Sequence, residues 1–310
     1  MRRFPTLLLL AGCATSSPPG LVERGAFPAR VHVAEDYQTD IEKRWWLAGA
    51  AESQGANRAC RGTPSKDFDD RMGDPAARYT AVIFNPVPGP PMGPRTRLAF
   101  RYKLRGTDTL RVRLFSLSNN YHRRLELRGL PEDEWREACV DMTLLRRADG
   151  SGGPLAENER IDDIQFYATP SAELWIDDIA LFDAGAGPEP FPRRVIFTGW
   201  FDTGARGKEW PGDFEIVPHE KPRTWKFARA KGGRLRVDLR GERPARDGRV
   251  RFVARRRGAA QLSIGSSTHK LDGPLGEWTL HDLPFKSPGA LKEVLFTGDV
   301  DVDDLLIYEP

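Results

Sequence analysis

The sequence predicts an all-β fold made of two tandem antiparallel β-sandwich domains. Apolar residues alternate with arginines in short segments, as at Leu110, Val112 and Leu114, and a period of two places one row of side chains in a core. The 30 glycines and 25 prolines among 310 residues supply frequent turns, which suit antiparallel hairpins. The third observation is that one ordered set of motifs occurs twice.

An internal duplication organises most of the chain. Segments of the first half recur in the same order in the second half, and the last of them carries adjacent aspartates in both. The matched segments are 104–106 and 239–241, 111–114 and 249–252, 134–135 and 277–278, 164–167 and 294–297, and 176–182 and 302–308. Two copies of one domain are the simplest account of this self-similarity.

The segment around Trp135 fits two kinds of secondary structure. An acidic opening after Pro131 is compatible with a helix over 131–147, whereas the matching segment 277–285 runs into a proline and is typical of an extended strand. We therefore predict a strand over 135–142. Trp135 and Trp278 hold equivalent places in the two copies, and we interpret both as packing residues.

The amino terminus has the pattern of an export signal. Arg2 and Arg3 precede an apolar run over 4–10, which is far shorter than the ~20 residues of a spanning helix. The run ends in Leu10-Ala11-Gly12-Cys13, which resembles the bacterial lipobox. The resemblance implies cleavage before Cys13, a diacylglycerol anchor on its thiol and, because alanine follows the cysteine, the outer membrane. An ordinary signal peptide with a chance cysteine is the alternative.

These signals divide the chain into five parts. Residues 1–12 are a predicted lipoprotein signal peptide, 13–29 a tether, 30–184 the first β-sandwich, 185–192 a linker and 193–310 the second β-sandwich. Copies of this length bury enough surface to fold alone. The net charge of +3 becomes about +1 without the signal peptide, so the composition does not point to a nucleic-acid partner.

Two cysteines, Cys60 and Cys139, remain in the predicted mature chain. Disulfides persist in oxidising compartments, and a bridge here would close a loop of about 80 residues and add roughly 4 kcal/mol. Two buried thiols are the alternative, since a sequence does not show whether two backbones come within disulfide reach. We predict the bridge.

Both copies resemble the jelly-roll, galactose-binding-like family, which includes many carbohydrate-binding modules. The resemblance is carried by the terminal aspartate doublets and by the strands with Trp135 and Trp278. It is also carried by the acidic and aromatic residues at the start of each copy, near Tyr37 and Trp200. It implies glycan binding and a structural Ca²⁺ that joins the first strand of each copy to the last. The implied ligands are Asp36 with Asp177 or Asp178, and Asp202 with Asp303 or Asp304; aspartates that merely end strands in turns are the alternative.

Glycan recognition needs a flat aromatic side chain beside amide or guanidinium groups. The predicted hairpin tip at Asn119, Asn120, Tyr121 and Arg123 offers this combination, with a solvated turn as the alternative. Trp46 is the second aromatic candidate. Neighbouring residues of a strand point to opposite faces of the sheet, so Trp46 and the tryptophan directly before it cannot both lie in the core. The matching tip of the second copy, 255–259, lacks the aromatic ring and the amides.

The segment 231–257 is strongly basic, with eleven Lys and Arg against three acids. We interpret it as an arginine-rich sheet face. A surface for anionic glycan, lipopolysaccharide or phospholipid is the alternative.

The sequence contains no nucleophile elbow, zinc-protease motif or phosphate loop. Glu132 with Glu134, and the adjacent Tyr121, His122 and Arg123, do not form a convincing hydrolase or lyase centre. We therefore predict a surface-tethered, non-catalytic glycan-binding lipoprotein of the outer membrane. The alternatives are a structural or protein-binding envelope lipoprotein and a jelly-roll carbohydrate-active enzyme.

Overall fold

The computed structural model describes most of the chain downstream of residue 17. The described ranges are 18–38, 46–55, 57–65, 78–86, 89–118, 121–157, 159–202, 210–221, 225–244 and 247–310. The predicted signal peptide, Cys13, Asn119 and Asn120 lie outside them. Within these ranges, no helix has the length and apolarity needed to cross a membrane.

The first half of the chain folds into two antiparallel sheets, which we call sheet I and sheet II. Sheet I is formed by β1 (Arg30–Glu35), β3 (Ala50–Gln54), β4 (Asn57–Arg61), β8 (Thr96–Arg105), β11 (Arg136–Asp141) and β13 (Glu173–Asp183). Sheet II is formed by β2 (Trp46–Ala48), β5 (Thr63–Pro64), β6 (Thr80–Phe84), β7 (Pro91–Met92), β9 (Leu110–Ser116), β10 (Tyr121–Leu127) and β12 (Glu159–Ala168).

The second half forms two further antiparallel sheets, III and IV. Sheet III is formed by β14 (Arg194–Gly199), β16 (Glu215–Pro218), β17 (Lys226–Arg229), β19 (Gly248–Arg256), β22 (Trp278–Phe285) and β24 (Val300–Glu309). Sheet IV is formed by β15 (Gly212–Asp213), β18 (Arg234–Pro244), β20 (Gln261–Ile264), β21 (Ser267–Lys270) and β23 (Ala290–Thr297). The predicted fold class, two tandem antiparallel β-sandwiches, is confirmed.

The alternating residues of these strands face the two cores as their period requires. Leu110, Val112 and Leu114 are fully buried in the first core, and Val250 and Phe252 in the second. The strand predicted over 135–142 is confirmed as β11, which is followed by a 3-10 turn at Met142–Leu144.

Sheets I and III have the same strand pairing. The long strands β13 and β24 each pair with the first strand of their half, β1 or β14, and with β8 or β19 on the other side. Both have a register shift at the aspartate doublet, and Asp178 and Asp304 adopt positive φ angles of 46° and 49°. The duplicated motif is therefore a bulged terminal strand.

Two matched pairs of segments are wrong. Residues 104–106 lie at the end of β8 in sheet I, whereas residues 239–241 lie in β18 of sheet IV, because a match of three residues is too short to identify a strand. Residues 249–252 lie in β19, which corresponds to β8, whereas residues 111–114 lie in β9 of sheet II. This second error arises because alternation of arginine with apolar residues recurs in every half-exposed strand and does not distinguish one strand from another.

A third apolar cluster joins the two sandwiches. Its buried members from the first half are Phe27, Val31, Ala99, Cys139, Ala180 and Phe182, and those from the second half are Leu306 and Tyr308. Two cross-half ion pairs flank it, Arg30 with Asp304 at 2.6 Å and Arg194 with Asp36 at 2.8 Å. Because Arg30 and Arg194 are the first residues of β1 and β14, the interface uses equivalent side chains from both copies.

The predicted disulfide is wrong, since Cys60 and Cys139 are both free and buried. They lie in β4 and β11, three strand positions apart in sheet I, which corresponds to about 14 Å at the usual strand spacing. Cys60 packs into the core of the first sandwich, whereas Cys139 packs into the cluster between the sandwiches. The two thiols therefore occupy opposite faces of the sheet and cannot approach each other.

Candidate functional site

The predicted glycan-binding residues fall at opposite edges of sheet II. Tyr121 begins β10 at one edge, and Trp46 begins β2 at the other. Four strand positions separate these strands, or about 19 Å. Tyr121 and Trp46 therefore do not form one compact site.

Arg123 does not belong to an exposed hairpin tip. Its side chain is 3% exposed and forms an ion pair with the buried Glu159 at 3.3 Å. It also donates a hydrogen bond of 2.6 Å to the carbonyl of Gly153. The assignment of Arg123 to glycan binding is therefore corrected: its guanidinium is held inside the first sandwich, because residues of one strand alternate between inner and outer faces.

The outer face of sheet II carries a network of tyrosine, arginine and carboxylate groups. Arg111 donates hydrogen bonds to the Tyr79 hydroxyl at 2.7 Å and to Glu126 at 2.8 Å, and its hydrogen bond lowers the pKa of Glu126. The rings of Tyr79 and Tyr167 pack edge to face. Both tyrosines are buried, at 7% and 1% exposure, so this network contributes to the packing of the face rather than an open aromatic platform.

Four of the predicted calcium ligands form ion pairs with arginines. Asp36 pairs with Arg194 at 2.8 Å, Asp178 with Arg101 at 3.2 Å, Asp202 with Arg160 at 3.3 Å and Asp304 with Arg30 at 2.6 Å. Among the described residues, no three His, Cys, Asp or Glu side chains gather in a way that could hold a metal ion. These carboxylates, already compensated by guanidinium groups, do not fit a calcium site as they stand. Calcium binding stays a prediction, which a titration followed by melting temperature checks.

A cavity on the outer face of sheet III combines features of a ligand site. Its volume is about 590 Å³, within the usual range for small-molecule sites. The lining residues come from β16, β17, β19, β22 and the loop after β16, and they are Val217, Pro218, His219, Glu220, Lys221, Phe227, Arg229, Arg255 and Trp278. We call this the Trp278 cavity.

Aromatic rings form one wall of the Trp278 cavity. Trp278 is half-buried, and its ring centroid lies 5.3 Å from that of Phe227 and 5.2 Å from that of His219. The Arg255 guanidinium lies 5.0 Å from the Trp278 ring centroid, a cation–π contact. The wall therefore offers rigid apolar area directly beside a positive charge.

Beneath this wall, one buried carboxylate holds three arginines in place. Asp301 is fully buried and accepts hydrogen bonds from Arg229 at 2.8 Å, Arg255 at 2.8 Å and Arg257 at 2.6 Å. Burial alone would raise the pKa of Asp301, but the hydrogen bonds from the three arginines lower it below its usual value. Asp301 therefore stays ionised and fixes the guanidinium groups at the cavity.

His219 is held by a second buried carboxylate. Its Nε2 lies 2.9 Å from Oδ2 of Asp303, which is 4% exposed. Burial raises the pKa of Asp303 to about 7, although its hydrogen bond with His219 acts in the opposite direction. The cavity thus contains a histidine whose ring orientation is fixed by an aspartate of the terminal strand.

Sequence reasoning missed this site, although it singled out two of its parts. The sequence predicts that Trp278 is a packing residue, but it is half-buried at the cavity. Arg255 belongs to the basic segment 231–257, for which the sequence predicts an arginine-rich sheet face. The available signal was the coincidence of an arginine run with a tryptophan, but only the pairing of Trp278 with Arg255 across β22 and β19 brings them together.

Comparisons with known proteins show likenesses of fold. No protein-family model matches this chain, and no curated protein matches it significantly. A tandem pair of family 22 carbohydrate-binding modules from Paenibacillus barcinonensis Xyn10C has a TM-score of 0.31 and 9% identity, covering 92% of this chain and 99% of that one. A family 11 carbohydrate-binding module from Clostridium thermocellum, in complex with a β-1,3-1,4-mixed-linked tetrasaccharide, has a TM-score of 0.35 and 15% identity, covering 51% of this chain and 99% of that one. A Paenibacillus xanthan lyase has a TM-score of 0.28 and 11% identity, covering 91% of this chain and 27% of that one.

Proposed function

We propose that this chain is a non-catalytic glycan-binding protein whose site is the Trp278 cavity. The observation that carries the proposal is the half-buried Trp278 ring beside Arg255 and His219 in a cavity of about 590 Å³. A pyranose ring has apolar C–H faces that pack on aromatic rings, while its hydroxyls need hydrogen-bonding partners. The cavity supplies both kinds of group.

Three polar side chains of the cavity are held in place by buried carboxylates of the protein itself. Arg229 and Arg255 are both bonded to Asp301, and His219 is bonded to Asp303. Such pre-organisation reduces the conformational entropy that a binding site loses when its ligand is ordered. A rigid set of donors beside a rigid aromatic ring supports recognition of a particular glycan rather than non-specific binding.

A glycan array probed with the purified full-length chain tests the proposal. We expect selective binding to some glycans and, for those, at least about tenfold weaker binding in Trp278→Ala, because truncation of an aromatic anchor costs about 1.4 kcal/mol or more. Trp135→Ala is the matched control, since Trp135 precedes β11 as Trp278 begins the equivalent strand β22. Absence of selective binding, or equal losses in both variants, would contradict the proposal.

We further propose that the chain is exported and anchored to the outer membrane by a lipid on Cys13, with the two sandwiches at 30–184 and 193–310. The support is the apolar run that ends in Leu10-Ala11-Gly12-Cys13. In a Gram-negative host, the protein is expected in the outer-membrane fraction, and Cys13→Ser is expected to abolish lipid labelling and membrane retention. Cys139→Ser is the control, and unchanged retention of Cys13→Ser would rule out this anchor.

A carbohydrate-active enzyme is the second candidate, and one observation favours it. His219 lies in the cavity with its ring held by Asp303, and a carboxylate with a raised pKa beside a histidine is a common feature of acid–base centres. Release of sugar from polysaccharide by the full-length chain, lost in His219→Gln, would establish this function. Binding without any turnover would leave the non-catalytic proposal in place.

A further inference from the structure

We infer that the ligand of the Trp278 cavity is an anionic glycan, one whose sugar units carry carboxylate or sulfate groups. This inference rests on the proposed glycan-binding function and specifies the ligand class. The ionisable groups of the cavity wall are Arg229, Arg255 and Lys221 against the carboxylate of Glu220, with His219 beside them. A neutral sugar does not require this excess of positive charge, whereas an acidic one is attracted by it.

The two arginines retain donors for a ligand. Each uses Nε and Nη2 to bind the carboxylate of Asp301. In the part of the chain that the structure describes, Nη1 of Arg229 and Nη1 of Arg255 make no hydrogen bond. Guanidinium N–H groups form strong, charge-assisted hydrogen bonds with carboxylate and sulfate oxygens. The Nη1 groups of both arginines are thus available to bind anionic substituents.

Asp301 does not cancel the charge of the arginines that it holds. Three guanidinium groups share this carboxylate, and the only further acidic partner among the described residues is Asp299, which pairs with Arg257 at 2.8 Å. Arg229 and Arg255 therefore share one negative charge with a third arginine. Their remaining positive charge faces a partly desolvated wall, where an ion interacts more strongly than in bulk water.

The first sandwich shows the contrasting arrangement at the equivalent place. Its basic residues Arg61 and Arg105 pair with acidic side chains that include Glu173, at 2.7 Å and 2.8 Å. Arg61 also lies 3.7 Å from Glu52, and Arg105 lies 2.8 Å from Asp133. Arg61 and Arg105 are therefore each paired with two acidic side chains, whereas Arg229 and Arg255 share the single carboxylate of Asp301 with a third arginine.

The test compares acidic and neutral oligosaccharides of equal length by isothermal titration of the full-length chain. The probes are an oligogalacturonide, which carries carboxylates, a heparin-derived oligosaccharide, which carries sulfates, and a neutral galacto-oligosaccharide. We expect at least one acidic probe to bind about tenfold or more tightly than the neutral probe. Raising the salt from about 0.15 M to about 0.5 M should weaken that binding several-fold, because salt screens charge.

Site variants tie the binding to the cavity. Arg255→Gln is expected to lose about tenfold in affinity for the acidic probe, whereas Lys103→Gln, its counterpart in β8, should retain it. Lys221→Gln provides a second test on an exposed residue, in case Arg255→Gln does not fold. A several-fold loss in this variant is also expected, because the lysine lies on the same cavity wall.

The outcomes separate this inference from the proposed function. If the neutral probe binds as tightly as both acidic probes and its binding is lost in Trp278→Ala, the glycan-binding function stands and the anionic specificity is overturned. If no glycan binds, both fail. If acidic probes bind but Arg255→Gln and Lys221→Gln keep full affinity, the site assignment is overturned.

Discussion

Trp175 of β13 and Asp301 of β24 occupy the same position in the two sandwiches. Trp175 pairs with Lys103 on one side and Arg61 on the other, as Asp301 pairs with Arg255 and Arg229. Both side chains are buried, at 5% and 0% exposure. Each sandwich therefore has a cluster of basic residues around this position, on sheet I in the first half and on sheet III in the second. The two clusters are stabilised in different ways.

In the first sandwich, the basic side chains pack on an aromatic ring. The charged groups of Arg61, Lys103 and Arg105 lie 5.6, 5.4 and 5.8 Å from the Trp175 ring, and the indole N–H donates a hydrogen bond to Glu52 at 3.1 Å. In the second sandwich, a carboxylate replaces the ring. Because a carboxylate is small, this replacement leaves the flanking Trp278 and Phe227 as the main apolar area of the face.

Removal of the Asp301 carboxylate should destabilise the second sandwich. Asp301→Ala leaves three arginines facing one another without their shared partner, and the free energy of unfolding is expected to fall by about 3 kcal/mol in urea denaturation at neutral pH. Asp299→Ala is the control because its side chain is 61% exposed, and it should change stability by less than about 0.5 kcal/mol. Similar effects of the two substitutions would contradict the structural role of Asp301.

The contribution of Asp177 to stability should rise as the pH is lowered from about 8 to about 5. Burial, with a further contribution from Asp178, raises the pKa of Asp177 from 3.8 to about 7, so in this pH range the folded state binds a proton that the unfolded state releases. The free energy of unfolding then increases by up to about 1.4 kcal/mol for each pH unit of acidification.

Asp177→Asn removes this titration and should flatten the dependence of unfolding free energy on pH. Asp303, whose pKa is also raised by burial, contributes in the same direction and should leave a residual slope. The exposed Asp133→Asn, at 66% exposure, is expected to retain the full slope. If Asp177→Asn and Asp133→Asn gave the same profile, the buried aspartate would not be its source.

Trp200 should determine whether the two sandwiches unfold together. It is 1% exposed, and its Nε1 donates a hydrogen bond of 2.9 Å to the carbonyl of His32 across the interface. Trp200→Ala is expected to lower the unfolding free energy by about 3 kcal/mol or more and to split one calorimetric transition into two, because each sandwich has its own core. A single transition at the original temperature would contradict this.

The two buried thiols should be unreactive in the native protein. Burial raises the pKa of Cys60 to about 12 and that of Cys139 to about 11, and only a thiolate reacts with iodoacetamide. Mass spectrometry should find neither cysteine alkylated before unfolding and both alkylated in denaturant without reductant. A linked Cys60–Cys139 peptide in the unreduced digest would reinstate the disulfide.

The sequence alone predicted the fold class and the repetition within it. The alternation at Leu110, Val112 and Leu114 gave the buried row of β9, and the match between the two aspartate doublets identified β13 and β24 as equivalent strands. Both kinds of signal are local, since they depend on residues a few positions apart and on direct comparison of short segments.

Only the tertiary structure decided which side chains meet across strands. Arg229 and Asp301 are 72 positions apart in the chain, and Trp278 reaches Arg255 only because β22 lies beside β19. A period of two shows that neighbouring residues face opposite sides of a sheet, but it does not specify which strands are adjacent. For the same reason, the sequence suggested a bridge between Cys60 and Cys139, whereas the sheet places them on opposite faces, three strands apart.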